Sequence, residues 1–201
     1  MGQNLRRHLE TIREAAGPDI DVLLDLNFNA RTEGYIEILR DIADLDLFWV
    51  ELDILDPDAM AMIRDKRAHP IAGLETLIGL HQFLPFFKAG AVDVAIVDTP
   101  WNGVWQSMKI AAAADAYEVN VACHNFYGHL CTMMNAHFCA AVPNLRIMET
   151  DIDRISWDKD IFTHEPEFKM EIKSENLEKE VISTYKEDNP NKFNSLINDL
   201  M

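Results

Sequence analysis

Short apolar runs alternate with longer amphipathic ones along this chain. The short runs are 21–27 (DVLLDLN), 47–54 (LFWVELDI), 70–75 (PIAGLE), 92–98 (VDVAIVD), 119–125 (VNVACHN) and 145–149 (LRIME). Apolar stretches of this length, rich in β-branched residues, have the pattern of strands buried on both faces of a parallel sheet. The longer segments have helical periodicity. Residues 3–16 place Leu5, Leu9 and Ile12 on one stripe, and Gly17-Pro18 ends it. Residues 31–43 repeat Ile36, Leu39 and Ile42, and residues 57–67 open on Pro57 in the first helical turn. Residues 76–89, 104–117 and 128–141 follow the same rule. Helix and strand in strict alternation, with no hairpin between strands, predict βα units and parallel pairing.

Each apolar run closes on an ionisable side chain. These are Asp25, Glu51, Glu75, Asp98, His124 and Glu149, at successive separations of 26, 24, 23, 26 and 25 residues. One βα unit therefore takes about 25 residues and delivers one ionisable group to the same end of the sheet. That end is the C-terminal rim of a TIM barrel, where such folds carry their chemistry; a doubly wound open sheet would gather its ligands at one switch point instead. A full barrel takes about 250 residues. The expected fold is thus α/β: an incomplete TIM-type (β/α) barrel of about six parallel βα units over residues 1–153. A polar tail follows over 154–201, with a helical stripe of Phe193, Leu196, Ile197 and Leu200.

Composition narrows the partners. The chain has 201 residues, 48% of them hydrophobic, enough for a real core, and a formal net charge of -16. That charge opposes nucleic acid and anionic membrane surfaces. A small anionic substrate remains compatible if a cation offsets the local field. The three cysteines, Cys123, Cys131 and Cys139, are odd in number and form no Cys-x-x-Cys pair, which argues against a disulfide framework or a zinc site. The polar start MGQNLRRHLE has no signal-peptide pattern, and the longest small apolar run, IAAAA at 110–114, is far too short to span a membrane. A cytoplasmic protein is expected.

The stretches IREAAGPDIDVLLDLN, FWVELDI, IAGLE, AGAVDVAIVDTPWNGV, ACHNFYGH and AVPNLRIME resemble, in order and spacing, the barrel domain of the enolase superfamily, mandelate racemase/muconate lactonizing enzyme family. The resemblance covers roughly residues 10–153. It implies an Mg²⁺-dependent abstraction of a proton next to a substrate carboxylate, with stabilisation of the enediolate so formed. It places the metal ligands on Asp25, Glu51 and Glu75, whose hard oxygens suit Mg²⁺. It places the catalytic pair on Asp98 and His124, with Glu149 assisting at the substrate carboxylate. Asn27, Trp101, Tyr127 and His129 follow strand ends and are candidate substrate contacts. His137 sits in a helix body and is expected to be structural.

The chain departs from the family pattern in three respects. The capping domain and the first two barrel strands have no counterpart here, and the Lys-x-Lys pair of the second strand is missing, the first lysine being Lys66. Leu74 precedes Glu75 where many relatives have glycine. The closing segment of the family is not recognisable in residues 164–201. Two open sheet edges suggest a homo-oligomer. The resemblance points first to acid-sugar dehydration, with a sugar acid or similar small carboxylate as substrate. Racemisation, epimerisation or cycloisomerisation through the same intermediate is the alternative, and a non-catalytic truncated relative or fragment is the third.

Overall fold

A computed structural model describes residues 2–150 and residue 160. The expected tail helix and the expected boundary at 153/154 lie outside the described residues. The chain divides into two compact units. The first contains α1 (Gly2–Ala16), and the second, Val22–Glu167, contains every strand described. In α1 the Arg6 guanidinium reaches Glu10 one turn on, at 2.8 Å. Gly17 closes the helix with its N–H on the Arg13 carbonyl.

The second unit runs β1 (Leu23–Asp25), α2 (Thr32–Asp41), β2 (Trp49–Glu51), α3 (Pro57–Arg64), β3 (Ile71–Gly73), α4 (Leu80–Ala89) and β4 (Val94–Asp98). It continues through α5 (Thr99–Asn102), α6 (Val104–Ala116), β5 (Asn120–His124), α7 (His129–Ala141) and β6 (Leu145–Met148). The strands form one six-stranded sheet in sequential order, and every pairing is parallel. This is the curled half-barrel that the alternation of short and long runs predicts. Among the described residues no helix is long and apolar enough to cross a membrane.

Burial follows the two periodicities. Outward-facing strand residues pack under the helices, with Tyr35, Ile38 and Leu39 from α2, Met60 and Ile63 from α3, and Phe83, Phe86 and Phe87 from α4 all buried. The opposite face of the sheet carries Trp49, Ala72, Val94, Ile96 and Ala122, flanked by Phe48 and Ile147. Because side chains alternate along a strand, Trp49 shares its face with Glu51, Ala122 with His124, and Ile147 with Glu149. Ring fillers below thus carry ionisable groups above them at the rim.

Two elements differ from the sequence expectation. The helix expected from residue 76 begins at Leu80, because 74–77 is spent on a turn in which Leu77 N–H returns to the Leu74 carbonyl. The short α5 was not expected; Asp98 caps it by accepting the Trp101 N–H at 2.8 Å, and Pro100 favours its first turn.

The end of β3 is the tightest place in the sheet. A Cβ on Gly73 would sit 2.3 Å from the Leu52 carbonyl oxygen and 2.9 Å from the Met60 methyl. The backbone oxygen cannot withdraw, because the same β2 backbone is tied to β3 by Leu52 N–H on the Ala72 carbonyl at 3.1 Å. Gly73→Ala is therefore expected to cost at least about 3 kcal/mol. Urea unfolding of the purified variant checks this, and a variant as stable as the parent would show that β2 and β3 are not held this closely.

Candidate active site

The register of the sheet brings the strand-end residues together. Asp25 lies opposite Glu51 on neighbouring strands, and Asp98 lies opposite His124. Glu75 follows two residues after β3. It is turned by Leu74, a buried residue held at φ 86°, a left-handed conformation that costs a β-carbon roughly 1–2 kcal/mol. Leu74 is the position where the sequence comparison expected glycine, and the positive φ is the physical reason glycine suits it.

A cavity of about 420 Å³ opens at this rim, lined by Asp25, Asn27, Glu51, Glu75, His124 and Glu149 above Trp49, Ile96, Ala122 and Ile147. Among the described residues, no lysine or arginine lines it. Four carboxyl groups share the cavity, and three of them, Asp25, Glu51 and Glu75, hold their protons more tightly than usual. Burial, reinforced by the charges of Asp25, Glu75 and Glu149, pushes Glu51 up to about 9. Burial pushes Glu75 up to about 7, against the opposing pull of His124. Asp25 keeps an open face on the cavity, yet the surrounding walls still raise its carboxyl, although the Asn27 N–H donates to it at 2.7 Å.

These observations test whether a metal ion fits. The donor set is oxygen only, which selects a hard cation such as Mg²⁺ over zinc or copper. The uncompensated carboxyl charge is what a divalent ion would neutralise. Among the described residues, no three aspartate, glutamate, histidine or cysteine side chains are drawn tightly enough around one point to grip an ion as they stand. Asp25, Glu51 and Glu75 thus fit a magnesium ion in chemistry and charge.

The sign of the pH effect follows. Glu51 and Glu75 bind protons more tightly folded than unfolded. The stability they contribute is complete below their ordinary value of 4.5 and is lost as pH rises through about 7 and about 9. The metal-free chain should lose stability across that window, by at most about 1.4 kcal/mol per pH unit for each group and by less where water reaches the carboxyl. An Mg²⁺ ion held by these carboxylates would compete with those protons, so its stabilising effect is expected to grow over the same window. Melting curves with and without Mg²⁺ at several pH values check both signs.

His124 is held from below and left open above. Its Nδ1 lies 2.9 Å from Asp98 Oδ2, and its Nε2 lies 3.5 Å from Glu75 Oε2. A carboxylate only accepts, so Nδ1 carries a proton toward Asp98, while Nε2 faces Glu75 at the cavity. The hydrogen bond to Asp98 raises the imidazole above its ordinary value, helped by Glu75 and Glu149 and opposed by burial. Asp98 is 1% exposed. Glu149, at the neighbouring rim position, accepts the Asn125 N–H at 2.6 Å, while Asn125 Nδ2 donates to the Glu149 carbonyl at 3.0 Å.

The four candidate substrate contacts divide. Asn27 lines the cavity, at φ 46° with its own side-chain oxygen accepting the Phe28 N–H. Trp101 is half exposed on α5, His129 is buried at the start of α7, and Tyr127 donates its hydroxyl to Asp98; none of the three is among the lining residues. His137 is exposed on α7. Sequence reasoning missed Asp53 and Asn125. Asp53 is 4% exposed and its N–H donates to the Asn27 carbonyl at 3.2 Å. Burial and Asp25 push its carboxyl up to about 6, against the Leu74 N–H that it accepts. Asp53 thereby ties together the three loops that carry Asp25, Glu51 and Glu75. Its position two residues after Glu51 was the available signal, since alternation returns it to the same side of the chain.

Comparison with known proteins identifies the family. Residues 3–172 match the family model described as Enolase C-terminal domain-like. The chain is 28% identical over 157 residues to the D-xylonate dehydratase of Haloferax volcanii, covering 76% of this chain and 38% of that protein. It is 30% identical over 166 residues to the D-gluconate dehydratase of Thermoproteus tenax, covering 79% of this chain and 33% of that protein. In structure it is similar to the proposed L-alanine-DL-glutamate epimerase of Burkholderia xenovorans strain LB400, solved with magnesium and fumarate. There the TM-score is 0.82 at 65% identity, over 84% of this chain and 42% of the other. The chain thus spans well under half the length of the relatives it matches. With the half-barrel, the strand order and the match over most of its length in agreement, the chain belongs to the enolase superfamily, as part of its C-terminal barrel domain.

Proposed function

We propose that this chain carries the metal and general-base half of an active site that removes a proton from the carbon next to a carboxylate, with an acid sugar as substrate. The observation that supports this best is the juxtaposition of His124, braced by Asp98, with the oxygen-only set Asp25, Glu51 and Glu75 around one cavity. When bound by those three carboxylates, Mg²⁺ supplies positive charge where negative charge develops on the substrate carboxylate. The chain's own residues do the rest. His124 Nε2 takes the α-proton, and the C–H electron pair spreads into the carboxylate. Asp98 holds the imidazole in the Nδ1–H tautomer and offsets the charge of the imidazolium. In dehydration the C–O bond to the β-hydroxyl then breaks, the imidazolium returns its proton to the departing oxygen, and water leaves. The resulting enol becomes a 2-keto-3-deoxy acid.

Dehydration is preferred because the curated relatives cited above are sugar-acid dehydratases. Epimerisation is the second reading, favoured by the name given to the 65% identical Burkholderia protein. In that reaction the α-proton is replaced at the same carbon and no C–O bond breaks. Both readings share the first step, so one experiment tests them. The chain is incubated with a panel of sugar acids and Mg²⁺ in D₂O and followed by NMR. Deuterium entering the α-carbon supports the shared step, 2-keto acid supports dehydration, and inverted substrate supports epimerisation. Absence of all three across the panel overturns catalysis by this chain.

A further inference from the structure

Tyr127 lies three residues after His124, in the turn between β5 and α7. Its hydroxyl donates to Asp98 Oδ2, the same oxygen that accepts the His124 Nδ1–H. Its ring also meets the imidazole edge-on, with centroids 5.5 Å apart and planes at 86°. Asp98 Oδ1 is occupied by the Trp101 N–H at 2.8 Å. The carboxylate is therefore held by three donors from three different segments, and one of those donors also walls in the histidine.

We propose that Tyr127 is a positioning residue for the His124–Asp98 pair, fixing the Asp98 carboxylate toward β5 and the plane of the imidazole so that Nε2 stays aimed into the cavity. An imidazole on a strand end can turn about its Cα–Cβ and Cβ–Cγ bonds, and a single hydrogen bond at Nδ1 restrains only one of its edges. The tyrosine supplies the second restraint. Burial and the Asp98 carboxylate keep the phenol protonated well above its ordinary range, so it remains a donor throughout. Phe126, its neighbour in sequence, has its ring 6.5 Å from that of Tyr127 at 70° and lines the cavity.

The inference rests on His124 being the base, and its test is chosen so that the two can fail separately. The Nδ1–H proton of His124 is observed by NMR in the 201-residue chain and assigned by its loss in His124→Asn. In Tyr127→Phe, which keeps the ring and loses only the hydroxyl, that proton is expected to exchange with solvent about tenfold faster and to shift, with the melting temperature nearly unchanged. On any sugar acid that the chain processes, kcat is expected to fall roughly tenfold with KM unchanged. A shifted, faster-exchanging signal with no activity in either protein supports Tyr127 as positioning and removes the catalytic reading. An unchanged signal, whether or not the melting temperature falls, overturns the proposal and leaves Tyr127 as an anchor of its loop.

Discussion

Replacing Glu51 with glutamine is expected to abolish useful magnesium binding while making the metal-free protein more stable above neutral pH. Both effects come from one carboxyl group. In the metal-free chain Glu51 is buried among Asp25, Glu75 and Glu149, which together with burial hold it protonated up to about 9. Ionising it there costs free energy that the unfolded chain, with an ordinary glutamate, does not incur. Glutamine keeps the shape and removes that cost. At a pH near 8 the variant should gain roughly 2–3 kcal/mol over the parent, after allowance for water in the open cavity. With Mg²⁺ present the order reverses, because the parent gains an ion and the variant has lost a central ligand. The loss in affinity should exceed the 10–100-fold typical of residues that only support a ligand. Melting curves of both proteins with and without Mg²⁺ give all four quantities. A variant that is destabilised without metal would show that Glu51 is a structural acid.

The second large effect is on chemistry alone. His124→Asn should reduce α-proton exchange by about a thousandfold, within the range usual for a positioned general base, and leave Mg²⁺ binding within a few-fold of the parent. The reason is geometric. His124 reaches the cavity with Nε2 while Asp98, buried beneath it, takes up Nδ1. Asparagine can accept the rim position but cannot take a proton near neutral pH. Exchange followed in D₂O separates the two outcomes, since a loss of both exchange and metal binding would mean that the histidine supports the metal site and not the proton transfer.

Much of this site was legible before any coordinates. Six apolar runs, each ending on an ionisable residue about 25 positions after the last, specify both the parallel sheet and the rim on which Asp25, Glu51, Glu75, Asp98, His124 and Glu149 meet. That pattern is visible because a parallel strand is short, apolar on both faces and exits always at the same end. What escaped was set by contacts between loops. Nothing local to Tyr127 says that its hydroxyl turns back to Asp98, and its place after a strand end made it look like a substrate contact. Asn125 reads only as the last residue of the run 119–125 until Glu149 is seen to accept its N–H. The positive φ of Leu74 shows in the sequence only through the glycine that many relatives carry there, since leucine itself gives no sign of it. The start of α4 was misplaced for a related reason: the apolar pattern of 76–79 continues that of the helix, but the turn leading out of Glu75 consumes it.

The proposed chemistry requires that Asp25, Glu51 and Glu75 converge on one ion. Anomalous diffraction from crystals of this chain grown with Mn²⁺, a hard cation of the same coordination preference as Mg²⁺, measures this directly. The expected result is a single strong peak at the rim within bonding distance of all three carboxylates, on the side of the cavity facing His124. A peak elsewhere, or none under conditions where Mn²⁺ saturates the protein in solution, would contradict it.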